Sequence, residues 1–162
     1  MELDQSAARV WRRLTREERL AAARHFWADP PREAVGAAQA ALVRLLHVRP
    51  QSVRTLPVER KAAGLASFAE PSELLAASLL VALHLGERRE LLVAFLDGVG
   101  LAHEDGLLAE DTSAPPVGEG AARRGYEAVS GAFPEAQVRT YLNTLWLQDH
   151  DRWEVLDRVV AG

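Results

Sequence analysis

The chain contains no cysteine, which excludes disulfides, thiolate catalysis and metal sites that depend on cysteine ligands. It also lacks an apolar run of the roughly 20 residues that a membrane-spanning helix needs. The first residues carry charges throughout and show no apolar segment of the kind found in signal peptides. We therefore expect a soluble, cytoplasmic protein without a membrane partner.

Isoleucine is absent, and lysine and asparagine each occur once, whereas arginine occurs 18 times. This bias indicates GC-rich coding rather than selection for phosphate binding. The net charge is −4, and arginines alternate with acids, as in Arg16-Glu17-Glu18-Arg19, which is typical of a solvated helix face. A nucleic-acid-binding domain is more often basic, with its charge on one side. We expect no nucleic-acid partner.

The apolar residues that are present recur mostly at helical spacing, and no stretch alternates apolar and polar residues as a strand would. With 162 residues, 48% of them hydrophobic, the chain fits one domain. The sequence predicts a single compact all-α domain over residues 1–162, with about eight to ten helices. An exposed loop is expected near residues 111–118, which are rich in turn formers.

Several helix boundaries can be predicted locally. Thr15 and Glu18 fit a capping box that starts a helix at Arg16, and Asp151 and Glu154 offer a second box for the final helix. Residues 51–56 are expected to form an irregular connection or a single turn after Pro50.

The segment near residues 72–85 is apolar at nearly every position from Leu74 to Leu85, interrupted only by Ser78 and His84. A helix that is apolar all round has no polar face for water and belongs in the interior. We therefore expect this helix to be central and buried, with the other helices packed around it.

The densest group of ligand-type side chains is His103-Glu104-Asp105, on a turn between glycines. An imidazole beside carboxylates suits metal binding or acid–base catalysis, so all three are candidate catalytic residues. Candidate metal ligands are His84, His103 and Asp105, with Asp97 also close in sequence. In the alternative interpretation, the acids cap a turn and His103 packs over a helix end.

Arg88 and Arg89 stand at the start of a predicted helix and are candidate anion-binding residues. In the alternative interpretation, they pair with neighbouring acids such as Glu87 and Glu90, and their apolar stems cover the core.

No phosphate-binding loop and no serine-hydrolase or metalloprotease motif occurs in the sequence. We therefore predict a helical protein of bacterial type that acts as a non-enzymatic protein-interaction or regulatory module without a cofactor. Its partner would be another protein or a second copy of itself, giving a homo-oligomer. The alternative is a metal-dependent hydrolase, or another metal-binding enzyme, centred on the His103-Glu104-Asp105 turn.

Overall fold

The computed structural model describes residues 2–111 and 113–162, and these residues form an all-α protein, as predicted. Met1 lies outside them, as does Thr112 of the predicted loop. Eleven helices form within the described residues: α1 (Ala7–Arg13), α2 (Arg16–Ala28), α3 (Arg32–Leu46), α4 (Pro50–Thr55), α5 (Val58–Ser67), α6 (Glu73–Glu87), α7 (Arg89–Val99), α8 (Glu119–Val129), α9 (Glu135–Gln148), α10 (His150–Trp153) and α11 (Leu156–Ala161).

The helix count exceeds the predicted eight to ten because two short segments behave differently from the expectation. Residues 50–55 close as α4, with Pro50 in its first turn. The predicted final helix is divided into α10 and α11. The second capping box was wrong: the Asp149 carboxylate caps α10 by accepting the Arg152 N–H at 3.2 Å, whereas Asp151 lies inside that helix.

The chain divides into two compact units. The N-terminal unit is Ser6–Glu87 and contains α1–α6. The C-terminal unit consists of residues 2–5 and Arg88–Gly162 and contains α7–α11. The single domain expected over residues 1–162 stays a prediction.

The predicted central helix is α6, and within the N-terminal unit it contacts α1, α2 and α3. Its buried side chains occupy one side of the helix: Leu75, Ala76, Leu79, Leu80, Leu83 and His84. Small residues allow the neighbouring helices to approach closely. The inward face of α3 carries Ala34, Ala38 and Ala41, all buried.

Specific polar contacts fix the ends of these helices. The predicted capping box is confirmed, since Thr15 Oγ1 accepts the Glu18 N–H at 3.1 Å and Glu18 Oε2 accepts the Thr15 N–H at 2.7 Å. Glu73, in the first turn of α6, accepts the Ala7 N–H at 2.7 Å and the Ser6 hydroxyl at 2.5 Å. The start of α6 is thereby bound to the start of α1.

In the C-terminal unit, α7 packs against α8 through two glycines. A Cβ atom at Gly125 would lie 3.0 Å from the Phe95 carbonyl oxygen, and one at Gly98 would lie 3.0 Å from the Arg124 carbonyl oxygen. A contact that close is tighter than ordinary packing permits. The two backbones therefore approach closely because neither position carries a side chain.

The C-terminal unit also holds the first residues of the chain. Asn143 is buried in α9; its side-chain oxygen accepts the Asp4 N–H at 2.7 Å, and its amide donates to the Asp4 carbonyl at 2.8 Å. One side chain thus satisfies both backbone groups of Asp4, which buried backbone requires.

The predicted loop begins with a local turn. Asp111 Oδ1 accepts the Ser113 hydroxyl at 2.6 Å and the Ser113 N–H at 3.0 Å. These bonds stabilise the charged carboxylate and so lower the pKa of Asp111 below its ordinary value. Further on, the Val117 N–H donates to the Arg152 carbonyl at 3.0 Å, which ties the loop to α10.

Candidate functional site

The His103-Glu104-Asp105 segment forms a tight turn in the C-terminal unit. The Glu104 N–H donates to the Leu107 carbonyl at 2.9 Å, and the Leu107 N–H donates to the Glu104 carbonyl at 3.0 Å. Asp105 and Gly106 both have positive φ, 51° and 89°, as a two-residue type I′ turn requires. The turn leaves the side chains of Glu104 and Asp105 exposed to solvent.

The His103 ring is held on both sides by this turn and by α7. Its Nδ1 accepts the Gly106 N–H at 3.0 Å, which assigns the ring proton to Nε2. Nε2 then donates to Asp97 Oδ1 at 2.7 Å, and only 10% of the His103 side chain is exposed. These two hydrogen bonds hold the His103 ring against the last turn of α7. The imidazole would have to give up the Gly106 bond before Nδ1 could bind a metal ion.

The two candidate anion-binding arginines differ in their surroundings. Arg89 donates to the Asp105 carbonyl oxygen at 2.8 Å and to the Asp105 carboxylate at 3.0 Å. The guanidinium of Arg89 is therefore paired with an acid of the turn. Arg88 is buried and lies just before α7. Its backbone carbonyl accepts the Leu92 N–H at 3.2 Å, in the first turn of that helix.

The remaining metal-ligand candidate, His84, belongs to the N-terminal unit and is only 2% exposed. Its Nδ1 lies 2.7 Å from the Leu80 carbonyl oxygen one turn earlier, so Nδ1 carries the proton and donates. Within residues 2–111 and 113–162, no three His, Asp or Glu side chains form a group that could hold a metal ion. The catalytic, metal and anion sites proposed from the sequence stay predictions.

One side of α6 is accessible to solvent, although the sequence predicted that the whole helix would be buried. The accessible side is an apolar stripe. Leu74 is 49% exposed, and Ala77, Ser78 and Val81 are partly exposed. At 100° per residue these four positions lie within an arc of about 100°, opposite the buried leucines. We call them the α6 stripe. The stripe could not be predicted from the sequence, because a helix with apolar residues all round does not indicate which side faces the solvent.

A concave site lies in the C-terminal unit where α8 ends and α9 begins. This α8–α9 cleft has a volume of about 380 Å³ and is lined by Tyr126, Ser130, Gly131, Phe133, Glu135 and Val138. Its shape depends on the turn at Gly131, where φ is 82°. Sequence reasoning missed it, although the break between two helices at a glycine, with aromatic residues on both sides, was a usable signal.

The four tryptophans do not form an exposed cluster. Trp11, Trp27 and Trp153 are buried, and Trp146 is half-buried with its indole N–H donating to Asp157 at 3.1 Å. Three of them therefore serve the cores of their units.

No helix within the described residues combines the length and the apolar character needed to cross a membrane. No family model matches the chain, and no curated protein or solved structure is found to be similar to it.

Proposed function

We propose that this protein is a non-enzymatic protein-interaction module that works in the cytoplasm. In this proposal the α6 stripe binds an apolar helix, supplied either by another protein or by a second copy of the chain. The observation that carries the proposal is the exposure of the stripe. Leu74 and Val81 are large apolar side chains in contact with water, on the helix that otherwise forms the core of its unit.

The spacing of the stripe supports a helical partner. Its positions follow the i, i+3, i+4, i+7 pattern by which one helix presents a face to another. The small residues Ala77 and Ser78 lie between the larger Leu74 and Val81, so large and small side chains share the stripe. Helices pack by fitting the side-chain ridges of one into the grooves of the other.

The rest of α6 supports a preformed surface rather than one that must fold on binding. Leu79, Leu80 and Leu83 are each at most 1% exposed, so the opposite side of the helix is fixed by packing. A rigid helix loses little conformational entropy when it binds, and more of the burial energy then contributes to affinity.

The stripe can be tested by charge substitution with a matched control. Leu74→Glu and Val81→Glu would each place a carboxylate in the proposed contact. The control Val58→Glu changes a residue of α5 whose exposure, 46%, matches the 49% of Leu74. We expect each stripe variant to weaken association at least about tenfold, because apolar burial is lost and a charge is desolvated.

The measurements are light scattering after size-exclusion chromatography and co-purification from the native host. Wild type and Val58→Glu should show the same self-association or the same retained partner, and the stripe variants should lose it. A wild-type protein that is monomeric at every concentration and retains no partner would contradict the proposal. Association that is equally strong in all variants would contradict the assignment to the stripe.

A metal-dependent hydrolase centred on His103, Glu104 and Asp105 remains the alternative proposal. Its support is the contact between His103, on the turn, and Asp97, near the end of α7, since a carboxylate that orients an imidazole is common around metal ions.

A further inference from the structure

We propose that the α8–α9 cleft binds a compact organic cation, such as a quaternary or primary ammonium group carried on a short apolar stem. The cleft belongs to the C-terminal unit, and the proposal is independent of the α6 stripe. Its volume of about 380 Å³ lies within the range of small-molecule sites in proteins.

The charge of the cleft comes from Glu135. By helix spacing its carboxylate should pair with Arg139, four residues later, because a glutamate that precedes an arginine by one turn is a favourable arrangement. Arg139 instead donates to the Glu2 carbonyl at 3.2 Å. Among the described residues, no hydrogen bond or ion pair involves the Glu135 side chain. Within the described residues, the negative charge of Glu135 therefore borders the cleft without a cation in ion-pair contact with it.

The apolar lining comes from Tyr126, Phe133 and Val138. Both aromatic rings are partly exposed. The face of an aromatic ring carries negative electrostatic potential and attracts an ammonium group. Rings and a carboxylate around one cavity form the combination that recognises a cation with apolar substituents.

The two helix ends at the cleft favour ligands of opposite charge, and the charge of Glu135 determines which ligand is favoured overall. The carboxyl end of α8, at Val129, favours a cation, whereas the amino end of α9 favours an anion. An anion at the amino end of α9 would lie beside the Glu135 carboxylate in the first turn of that helix. Repulsion from this full charge opposes the attraction of the helix end, which is equivalent to about half a charge. The cation is the favoured ligand.

The test is a titration followed by two-dimensional amide NMR with choline as the probe. A second titration uses 3,3-dimethylbutan-1-ol, which has the same shape as choline but a carbon atom in place of the charged nitrogen. We expect choline to give saturable shifts at Tyr126, Ser130 and Phe133, and the neutral analogue to bind at least about fivefold more weakly because it lacks the charge.

Two glutamate variants separate a local charge effect from a general one. Glu135→Gln should weaken choline binding about two- to fivefold, whereas Glu127→Gln, an exposed change of equal charge on α8, should leave it unchanged. Both side chains are exposed, and unchanged melting temperatures would show that each variant is folded.

A third titration distinguishes the source of the cation. Nα-acetyl-lysine methylamide represents a protein side chain, and tighter binding of this compound than of choline would assign the cleft to a peptide ligand. Tighter binding of choline would assign it to a free amine, and both results support a cation site. Absence of saturable shifts with both cations would overturn the proposal, as would equal binding of the neutral analogue or of the Glu135→Gln variant.

Discussion

Truncation of Leu80 should destabilise the protein far more than the same truncation at Leu74 on the same helix. Leu80 is 0% exposed and lies on the buried side of α6, whereas Leu74 is 49% exposed. Leu80→Ala removes buried methyl groups and leaves a cavity, which costs about 2–5 kcal/mol in free energy of unfolding. Leu74→Ala leaves no cavity and should cost less than about 1 kcal/mol.

The assay is equilibrium unfolding in urea, followed by circular dichroism, with the slope of the transition compared between variants. A change in midpoint at constant slope reports a change in stability alone. For a chain of this length, 2–5 kcal/mol corresponds to a loss of roughly 5–15 °C in melting temperature. If Leu80→Ala unfolds with the wild-type midpoint, or if both truncations cost the same, then α6 does not organise its unit and the reasoning is refuted.

Gly125→Ala should lower the free energy of unfolding by about 1–3 kcal/mol because its Cβ would press on α7. Gly36→Ala, on an open part of α3, should instead raise it by about 0.5–1 kcal/mol; urea unfolding checks both, and destabilisation by the two alike would contradict the α7–α8 packing. Ser113→Ala should raise the pKa of Asp111 towards its ordinary value, measured by carboxyl NMR titration. Since the folded-state pKa of Asp111 is lowered, its carboxylate contributes to stability above the unfolded-state pKa. This contribution is lost as the pH falls through the folded-state pKa. An unchanged pKa of Asp111 in Ser113→Ala would contradict the assigned cause. Under the alternative function, elemental analysis of untagged protein should find one bound metal ion per chain that His103→Ala loses, and metal below stoichiometry, or unchanged in the variant, would exclude it.

The parts of the fold that could be predicted from the sequence depend on local chemistry. The capping box at Thr15 and Glu18 was predictable because both bonds form within one turn of the chain. The second capping box was wrong for a related reason: Asp149 and Asp151 both precede the final helical segment, and local pattern alone does not decide which aspartate lies at the cap.

Other features depend on tertiary structure that periodicity does not encode. The all-round apolarity of α6 predicted its buried leucines but could not indicate that Leu74 and Val81 would remain accessible. The sequence also did not reveal that the Glu135 carboxylate has no ion-pair partner among the described residues. Helix spacing predicts a pair with Arg139, but Arg139 donates to the Glu2 carbonyl instead. Local rules describe what a residue can do, whereas tertiary contacts decide which of these options it takes.

The most direct test of the proposed function is photo-crosslinking in the native host with benzoylphenylalanine placed at residue 74. The same photoreactive group at residue 58, where Val58 has a similar exposure, serves as the control. The account predicts one discrete adduct from residue 74, absent from residue 58 and lost when Val81→Glu is added to the same chain. Mass spectrometry of the adduct would identify a second copy or a different protein. No adduct from residue 74, or equal adducts from both positions, would contradict the claim that the α6 stripe binds a partner.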